Sequence, residues 1–311
     1  MVDFLNTCSE NQKVEIPLLM EKGISLTVKR EDQIHPLISG NKFRKLKYNL
    51  KKAQEENCNT LLTFGGAYSN HISAVAFAGK KYGFKTIGII RGEELSEDID
   101  ETLRVNPTLG LASQHGMKFE FVSRSDYRLK DTAHFVNDLK GKFGDFYLIP
   151  EGGTNDLAVR GCEEILKPGD EDFDVVCLSV GTGGTISGII NSVNDNQYVM
   201  GFPALKGNFL GKEIKKFIHS NNKWCLINDY HMGGFAKINE ELVNFINNFK
   251  FETSIPLDPV YTGKMMYGLL DLVKSGHFER GTKILAIHTG GLQGILGMNI
   301  RLKNKKLPII E

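Results

Sequence analysis

Residues 174–190 read DVVCLSVGTGGTISGII and combine two patterns that decide the fold class. The apolar run from Asp174 to Leu178 predicts a buried strand, and the apolar run from Ile186 to Ile190 predicts the first turns of a helix. The glycines between them therefore lie at a strand-to-helix turn. Because backbone N–H groups and the helix dipole converge at such a turn, the segment predicts a site for a phosphate dianion.

A lysine far upstream offers the amine that a phosphorylated aldehyde cofactor needs. This residue, Lys42, stands in the stretch SGNKFRKL at residues 39–46. An amine together with a phosphate cup suggests pyridoxal phosphate, whose aldehyde condenses with lysine. The alternative is a solvated basic helix face, because Lys42 begins a run of basic side chains. The run continues with Arg44, Lys45, Lys47, Lys51 and Lys52.

The glycine segment also has to be compared with a dinucleotide-binding loop. Gly181 and Gly183 match the first two glycines of that fingerprint, but Ile186 occupies the place of the third. The strand predicted at Tyr198 to Phe202 is followed by Pro203 and lacks the acidic residue that would hold a ribose. A phosphate-sized site is therefore favoured over a dinucleotide site.

Composition is that of an ordinary soluble enzyme. The 311 residues carry 38 basic and 37 acidic side chains, a net charge of +1 that favours neither nucleic acid nor a charged membrane surface. Five cysteines lack C-x-x-C spacing, which indicates reduced thiols and a cytoplasmic location. The first fifteen residues have no signal-peptide pattern, and no apolar run approaches the ~20 residues that span a bilayer. No metal-binding pattern occurs.

Strand and helix patterns alternate along the chain, as in an α/β fold with open parallel sheets and flanking helices. Strands are predicted at Ile24–Lys29, Thr60–Phe64, Lys85–Ile90, Lys118–Val122, Phe146–Ile149, Asp174–Val180, Tyr198–Phe202, Trp224–Asn228 and Lys283–His288. The main helices are predicted at Asn41–Asn57, Ser69–Tyr82, Asp126–Gly141, Glu240–Phe249 and Tyr261–Ser275.

Six sequence blocks together resemble one enzyme family. In chain order they are Ser39–Leu46, Gly65–His71, Pro150–Asn155, Ser179–Thr185, Leu257–Lys264 and His288–Gly291. Their joint occurrence over residues 39–291 is similar to the D-cysteine desulfhydrase and 1-aminocyclopropane-1-carboxylate deaminase family, which are pyridoxal-phosphate enzymes of the tryptophan synthase β-subunit fold type. The resemblance implies a two-domain protein, with a smaller domain at residues 39–154 and a larger domain at 1–38 and 155–311. It further implies a cofactor cleft between the domains, a small amino-acid substrate and a homodimer.

The resemblance also implies roles for individual side chains. Lys42 matches the lysine that bonds the cofactor aldehyde, and its freed amine is the candidate base for the substrate Cα proton. Asn70 matches the asparagine that binds the cofactor's ring oxygen, and Ser69 matches a serine that faces the substrate; either could instead cap a helix. Tyr261 matches an active-site tyrosine. The residues expected to hold the phosphate are Gly181, Thr182, Gly183, Gly184 and Thr185.

Thr289 and Thr262 indicate which reaction the resemblance favours. In the desulfhydrase branch the residue matching Thr289 contacts the pyridine nitrogen, and a hydroxyl leaves that nitrogen neutral where a carboxylate would protonate it. A neutral ring is the weaker electron sink, which favours β-elimination over transamination. The deaminase branch has glutamate at the position of Thr262. We therefore expect elimination on D-cysteine, with 1-aminocyclopropane-1-carboxylate deamination as the alternative.

Two departures from the family pattern lie on the substrate side. Phe235 stands where a second tyrosine is usual, and Tyr68 stands where glutamine is common. Tyr230 or His231 could supply the lost hydroxyl's function. Both departures leave the cofactor side intact and therefore favour an altered substrate specificity over a loss of cofactor binding. The alternative from another class, motivated by Phe235, is a catalytically silent cofactor-binding or carrier protein, and a nucleotide-binding fold without lysine chemistry is a third alternative.

Overall fold

The computed structural model describes residues 8–38 and 40–311 as a mixed α/β structure with two sheets. The strands are β1 Asn11–Val14, β2 Ser25–Lys29, β3 Thr60–Gly66, β4 Lys85–Arg91, β5 Met117–Val122, β6 Tyr147–Ile149, β7 Val175–Val180, β8 Tyr198–Pro203, β9 Lys223–Leu226 and β10 Lys283–Ile287. The helices are α1 Pro17–Lys22, α2 Asn41–Glu55, α3 Asn70–Tyr82, α4 Ile99–Val105, α5 Pro107–Gln114, α6 Arg124–Tyr127, α7 Ala133–Phe143, α8 Asp156–Glu163, α9 Gly184–Ser192, α10 Leu210–Lys215, α11 Glu240–Thr253, α12 Thr262–Lys274 and α13 Gly294–Asn304.

The larger sheet has six strands in the order β1-β2-β10-β7-β8-β9. All neighbouring pairs are parallel except β1 and β2, which are antiparallel at one edge. Helices cover both faces: α1, α11, α12 and α13 enclose one apolar core, and α8, α9 and α10 enclose the other. A parallel sheet needs this double covering because both of its faces are apolar.

The smaller sheet has four parallel strands in the order β5-β4-β3-β6. One face packs on α2, α3 and α5, and the other packs on α6 and α7. These strands fall between Thr60 and Ile149, inside the range expected for the smaller domain. The division of the chain into two domains stays a prediction.

All nine predicted strands are confirmed, with ends that differ by no more than two residues. Strand β1 was not predicted, because its sequence NQKV has no apolar alternation and it forms by pairing with β2 at the sheet edge. The helix predicted from Asp126 to Gly141 was wrong as a single element. It is two helices, α6 and α7, because Thr132 caps the second one through Phe135 N at 3.4 Å.

The start of α2, which carries the candidate lysine, is held by a buried ion pair. The Arg44 guanidinium donates two hydrogen bonds to the Glu31 carboxylate, at 2.9 and 3.0 Å, and both side chains are buried. Gly161 of α8 packs so closely on α2 that an added Cβ would lie 2.0 Å from Arg44 O. The N-terminal turn of α2 is therefore fixed both by Glu31 and by α8.

The alternative of a solvated basic face on α2 was wrong for its first turn. Arg44 and Lys45 are buried, whereas Lys51 and Lys52 are exposed. Within residues 8–38 and 40–311, no helix has the length and apolarity to cross a membrane. The same part of the chain contains no cluster of three or more His, Cys, Asp or Glu side chains that could hold a metal ion.

Candidate active site

Asn41, the first residue of α2, connects three of the predicted site residues. Its Oδ1 accepts a hydrogen bond from Lys42 Nζ at 3.0 Å, and its Nδ2 donates to Thr185 Oγ1 at 2.9 Å. Its backbone N–H donates to Thr289 O at 3.1 Å. The structure therefore brings the candidate lysine, the phosphate segment and the residue after β10 to one place.

Gly40 makes this convergence possible. Its φ is +63°, and an added Cβ would lie 2.0 Å from Thr289 O. Any other residue would meet both a left-handed backbone conformation and a backbone clash. The close approach of α2 to the end of β10 therefore requires glycine at this position.

The Lys42 amine is prepared for reaction near neutral pH. Burial of the ammonium, and next the positive charge of Lys45, lower the pKa of Lys42 to about 7. Both causes disfavour the charged form, and the Asp258 carboxylate offsets them only partly. A large fraction of the Lys42 amine is therefore neutral, as a nucleophile or base requires.

Lys45, one turn further along α2, lies against the predicted phosphate segment. Its Nζ donates to Gly152 O and Thr154 Oγ1, both at 2.9 Å, and to Thr182 Oγ1 at 3.3 Å. The side chain is 2% exposed, and no carboxylate pairs with it among the described residues. Burial lowers the pKa of Lys45 to about 8. A bound phosphate would supply the negative charge that this buried ammonium lacks.

The glycine segment itself has the predicted strand-to-helix geometry. It connects β7 to α9, and Gly183 precedes the helix with a φ of +91°. An added Cβ at Gly184 would lie 2.9 Å from Thr154 Oγ1 and 3.2 Å from Lys45 Nζ. The absence of a Cβ leaves the space and the helix N–H groups that a phosphate group needs. The two threonine hydroxyls are present, Thr185 bonded to Asn41 and Thr182 bonded to Thr154 at 2.5 Å.

Ser69 and Asn70 lie at the N-terminus of α3, where β3 ends. The Ser69 Oγ caps this helix by accepting from Ile72 N at 3.4 Å, so the capping alternative is confirmed. The hydroxyl proton of Ser69 is not used by the cap. Asn70 Oδ1 is buried and has no hydrogen-bond partner among the described residues. An unpartnered amide at this position fits a ligand with polar atoms.

Tyr261 lies between the phosphate segment and Phe235. An added Cβ at Gly181 would lie 3.2 Å from Tyr261 Cε1, and the Tyr261 and Phe235 rings are 6.1 Å apart at an interplanar angle of 65°. Burial raises the pKa of the Tyr261 phenol, and the carboxylates of Asp258 and Glu151 raise it further. Tyr261 therefore keeps its proton and has an O–H that can donate a hydrogen bond. Phe235 is 49% exposed, so its ring borders open space.

Thr289 and Thr262 have different surroundings. The Thr289 hydroxyl lies 3.0 Å from the Ser179 hydroxyl, and both side chains are buried. They meet because β7 and β10 are neighbours whose carboxyl ends share one sheet edge. The Thr262 hydroxyl instead donates to Asp258 Oδ1 at 2.7 Å. The Thr262 hydroxyl is thus engaged with Asp258 at the start of α12, and Thr289 presents one of two adjacent hydroxyls to the site.

Tyr230, His231 and Tyr68, which were considered with the departures from the family pattern, each contact a neighbouring element or loop. The Tyr230 hydroxyl donates to Asp271 at 2.7 Å, and its ring packs where Gly268 of α12 leaves room. His231 Nδ1 accepts from Gly233 N at 2.9 Å. The Tyr230 hydroxyl is thus bonded to the last turn of α12, and the expectation that Tyr230 or His231 supplies the lost hydroxyl's function stays a prediction. Tyr68 packs against Gly297 of α13 and is 55% exposed.

Sequence reasoning missed two residues of this site. Asn41 was seen only as part of a motif, and Lys45 was grouped with a basic run. One signal was available for Lys45: it is three residues after Lys42, so the two side chains share one helix face. Four of the six sequence blocks come together in pairs because β3 with β6, and β7 with β10, are neighbouring parallel strands with their carboxyl ends on the same side; the other two blocks lie at the starts of α2 and α12.

Comparisons with known proteins agree with this arrangement. The profile of a family described as "Pyridoxal-phosphate dependent enzyme" matches residues 11–290. The mitochondrial bifunctional D-cysteine desulfhydrase/1-aminocyclopropane-1-carboxylate deaminase of Arabidopsis thaliana is 31% identical over 307 residues, covering 89% of this chain and 74% of the relative. The 1-aminocyclopropane-1-carboxylate deaminase of Rhizobium rhizogenes is 29% identical over 313 residues, covering 90% and 91%.

Among solved structures, a crystal structure described as that of an ACC deaminase homologue matches with a TM-score of 0.83. The identity is 27%, and the match covers 97% of this chain and 95% of that one. The chain belongs to the family of pyridoxal-phosphate-dependent enzymes. The resemblance, the tryptophan synthase β-like fold and the cofactor are confirmed. The unpartnered Asn70 oxygen and the buried Lys45 ammonium fit this cofactor's polar groups.

Proposed function

We propose that this protein deaminates a small amino acid by α,β-elimination, with D-cysteine as the first candidate substrate. D-Cysteine and water would give pyruvate, ammonia and hydrogen sulfide. The observation that carries the proposal is the set of contacts made by Asn41. This residue bonds the candidate lysine Lys42, Thr185 of the predicted phosphate segment, and Thr289, whose hydroxyl lies beside that of Ser179. The Arabidopsis thaliana relative is named a bifunctional D-cysteine desulfhydrase and 1-aminocyclopropane-1-carboxylate deaminase, which supports this substrate.

Lys42 is the proposed anchor for the cofactor and the base. When bound, pyridoxal phosphate supplies an electron sink that acidifies the substrate Cα–H bond. Because the pKa of Lys42 is lowered to about 7, its amine can accept the Cα proton at neutral pH. Lys45, Thr182 and Thr185 would bind the phosphate, which would keep the cofactor in place while Lys42 moves the proton.

Ser69 and Tyr261 are the proposed substrate-facing groups. The Ser69 oxygen accepts the capping bond from Ile72 N, which leaves its O–H free to donate to the substrate carboxylate. Tyr261 keeps its proton because burial raises the pKa of its phenol, so it can donate a hydrogen bond or a proton to a leaving group. The Asn70 amide would hydrogen-bond the cofactor ring oxygen from the same helix end.

Thr289 supports elimination over the competing reactions. With the cofactor bound, the Thr289 hydroxyl would face the ring nitrogen and would leave it unprotonated, and the neighbour of Thr289 at 3.0 Å is the Ser179 hydroxyl, which is not a carboxylate. The position expected for a glutamate in the deaminase branch is Thr262, whose hydroxyl is bonded to Asp258. Both observations favour β-elimination.

The second candidate is 1-aminocyclopropane-1-carboxylate deamination, which would give 2-oxobutanoate and ammonia. The Rhizobium rhizogenes and Arabidopsis thaliana relatives, both named for this activity, favour it. Phe235 affects both candidate reactions in the same way, because its ring lies beside Tyr261 and lacks the hydroxyl that a tyrosine would supply there. Neither candidate requires a metal ion or a nucleic acid partner.

A product screen of the holoenzyme tests the proposal. D- and L-amino acids and 1-aminocyclopropane-1-carboxylate are supplied one at a time, and 2-oxoacid and sulfide are measured. We expect pyruvate and sulfide in equal amounts from D-cysteine, and none from Lys42→Ala loaded with cofactor. Formation of 2-oxobutanoate without sulfide would favour the second candidate. No turnover of any compound would favour a silent cofactor-binding protein.

We propose further that the protein is a cytoplasmic homodimer with its smaller domain at residues 39–154. The separate cores of the two sheets support the domain division. Five free cysteines among the described residues are consistent with a reducing compartment. Light scattering on the purified holoenzyme would test the dimer, and a mass of about one chain would contradict it.

A further inference from the structure

The loop that carries Phe235 has a conformation that its own residues do not favour. Met232 and Ala236 have positive φ angles of 54° and 53°, next to Gly233 at 90° and Gly234 at 123°. Residues with a Cβ avoid this region. Such a run of left-handed residues persists only where contacts from outside the loop hold it.

Lys264 of α12 supplies the main outside contact. Its Nζ donates to His231 O and Gly234 O, each at 2.9 Å. The side chain is buried, and among the described residues no carboxylate forms an ion pair with it. Burial of this ammonium lowers the pKa of Lys264 to about 8. Burying an ammonium without a carboxylate partner costs folding free energy, and only the hydrogen bonds to the two carbonyls offset this cost.

Arg301 of α13 makes a third contact of the same kind. Its Nη1 donates to Ala236 O at 3.0 Å. Two cations from two helices therefore hold three carbonyls on either side of Phe235. The ring thereby lies 6.1 Å from that of Tyr261, which directly precedes α12. One helix thus positions both aromatic rings, Tyr261 at its start and Phe235 through Lys264.

We propose that Lys264 is a positioning residue that holds loop 231–236 as a fixed wall of the amino-acid site, with Arg301 as its weaker partner. The proposal rests on the proposed function for the identity of the substrate. It assigns Lys264 no contact with the cofactor or with the reacting atoms. Its effect on the reaction is transmitted through the backbone of the loop to the Phe235 ring.

The first test measures the loop directly. Lys237 is exposed and directly follows the loop, so tryptic cleavage after it reports on loop opening. In the holoenzyme, Lys264→Met should accelerate this cleavage by about tenfold or more, because two charge-assisted bonds to carbonyls are lost. Arg301→Met should accelerate it by a smaller factor. Equal cleavage rates in wild type and both variants would overturn the proposal.

The second test separates positioning from general destabilisation. In Lys264→Met the KM for the amino acid should rise by about tenfold, with kcat changed less and the cofactor absorbance and dissociation constant unchanged. Lys237→Met removes an exposed charge from the same region and should leave KM unchanged. Parallel loss of kcat and of bound cofactor would mean that Lys264 supports the cofactor pocket, and this would overturn the proposal. Should Lys264→Met fail to fold, Arg301→Met carries the same comparison.

The two proposals fail in different ways. If wild-type protein turns over no amino acid, the change in cofactor absorbance on adding D-cysteine replaces KM as the measure of binding. Absence of any such change in wild type contradicts the proposed function. A faster cleavage after Lys237 with unchanged amino-acid affinity contradicts only the role of the loop as a substrate wall.

Discussion

The substitution Lys45→Met separates the role of this lysine in cofactor binding from its effect on folding. Methionine keeps an unbranched apolar stem and removes the ammonium that donates to Gly152 O, Thr154 and Thr182. A charge-assisted hydrogen bond to a phosphate contributes about 1.5–3 kcal/mol. The dissociation constant of pyridoxal phosphate should therefore rise by about 10- to 150-fold, as measured by absorbance titration of the apoenzyme.

The Lys45 ammonium, which should strengthen cofactor binding, should weaken the folding stability of the apoenzyme. The pKa of Lys45 falls from 10.5 to about 8 in the folded state, so the ammonium costs stability below pH 8. Between pH 8 and 10.5 the unfolded chain binds more protons than the folded one, and the free energy of unfolding rises with pH. The full effect is about 3 kcal/mol, of which about 2 kcal/mol is reached by pH 9.5. Lys45→Met lacks this contribution.

Urea unfolding of both apoproteins at pH 7 and pH 9.5 measures this difference. The free energy of unfolding of wild type relative to Lys45→Met should increase by about 2 kcal/mol over that interval. Lys51→Met, an exposed substitution on the same helix, should match wild type in cofactor affinity and in the pH dependence. Wild-type cofactor affinity in Lys45→Met would refute the assignment of Lys45 to the phosphate, and an unchanged pH dependence would refute the buried ammonium.

One labelling experiment and two substitutions test the remaining roles. Borohydride reduction of the holoenzyme should leave the pyridoxyl mass on the peptide that contains Lys42, and finding it at Lys45 or Lys264 would contradict the assignment. Thr289→Asp should protonate the cofactor ring, so that substrate addition produces a long-wavelength absorbance band and more transamination product; an unchanged spectrum would mean that Thr289 does not contact the ring. Phe235→Tyr should raise turnover of D-cysteine or 1-aminocyclopropane-1-carboxylate with little change in cofactor affinity, because a proton donor typically contributes about 10²–10⁴-fold; a variant no faster on either compound would remove this role.

Local patterns in the sequence were sufficient for most of the fold. The apolar run before Gly181 and the glycines after it identified both β7 and the start of α9, because strand burial and left-handed turns depend on neighbouring residues. The same reasoning failed for β1, whose polar sequence becomes a strand only through pairing with β2. It also failed at the break between α6 and α7, where the capping bond of Thr132 outweighed a continuous helical pattern.

The sequence alone determined which chemical groups the site contains: a lysine, a phosphate-binding turn, and hydroxyl side chains where carboxylates would change the reaction. Only the tertiary structure decided how they act together. Lys45 and Lys51 lie on one helix, yet the first is a buried phosphate-site candidate and the second is solvated. Asn41 connects Lys42 to two segments more than a hundred residues away. Burial and long-range contacts set these properties, because the electric field at a side chain depends on every element packed around it and not on its sequence neighbours.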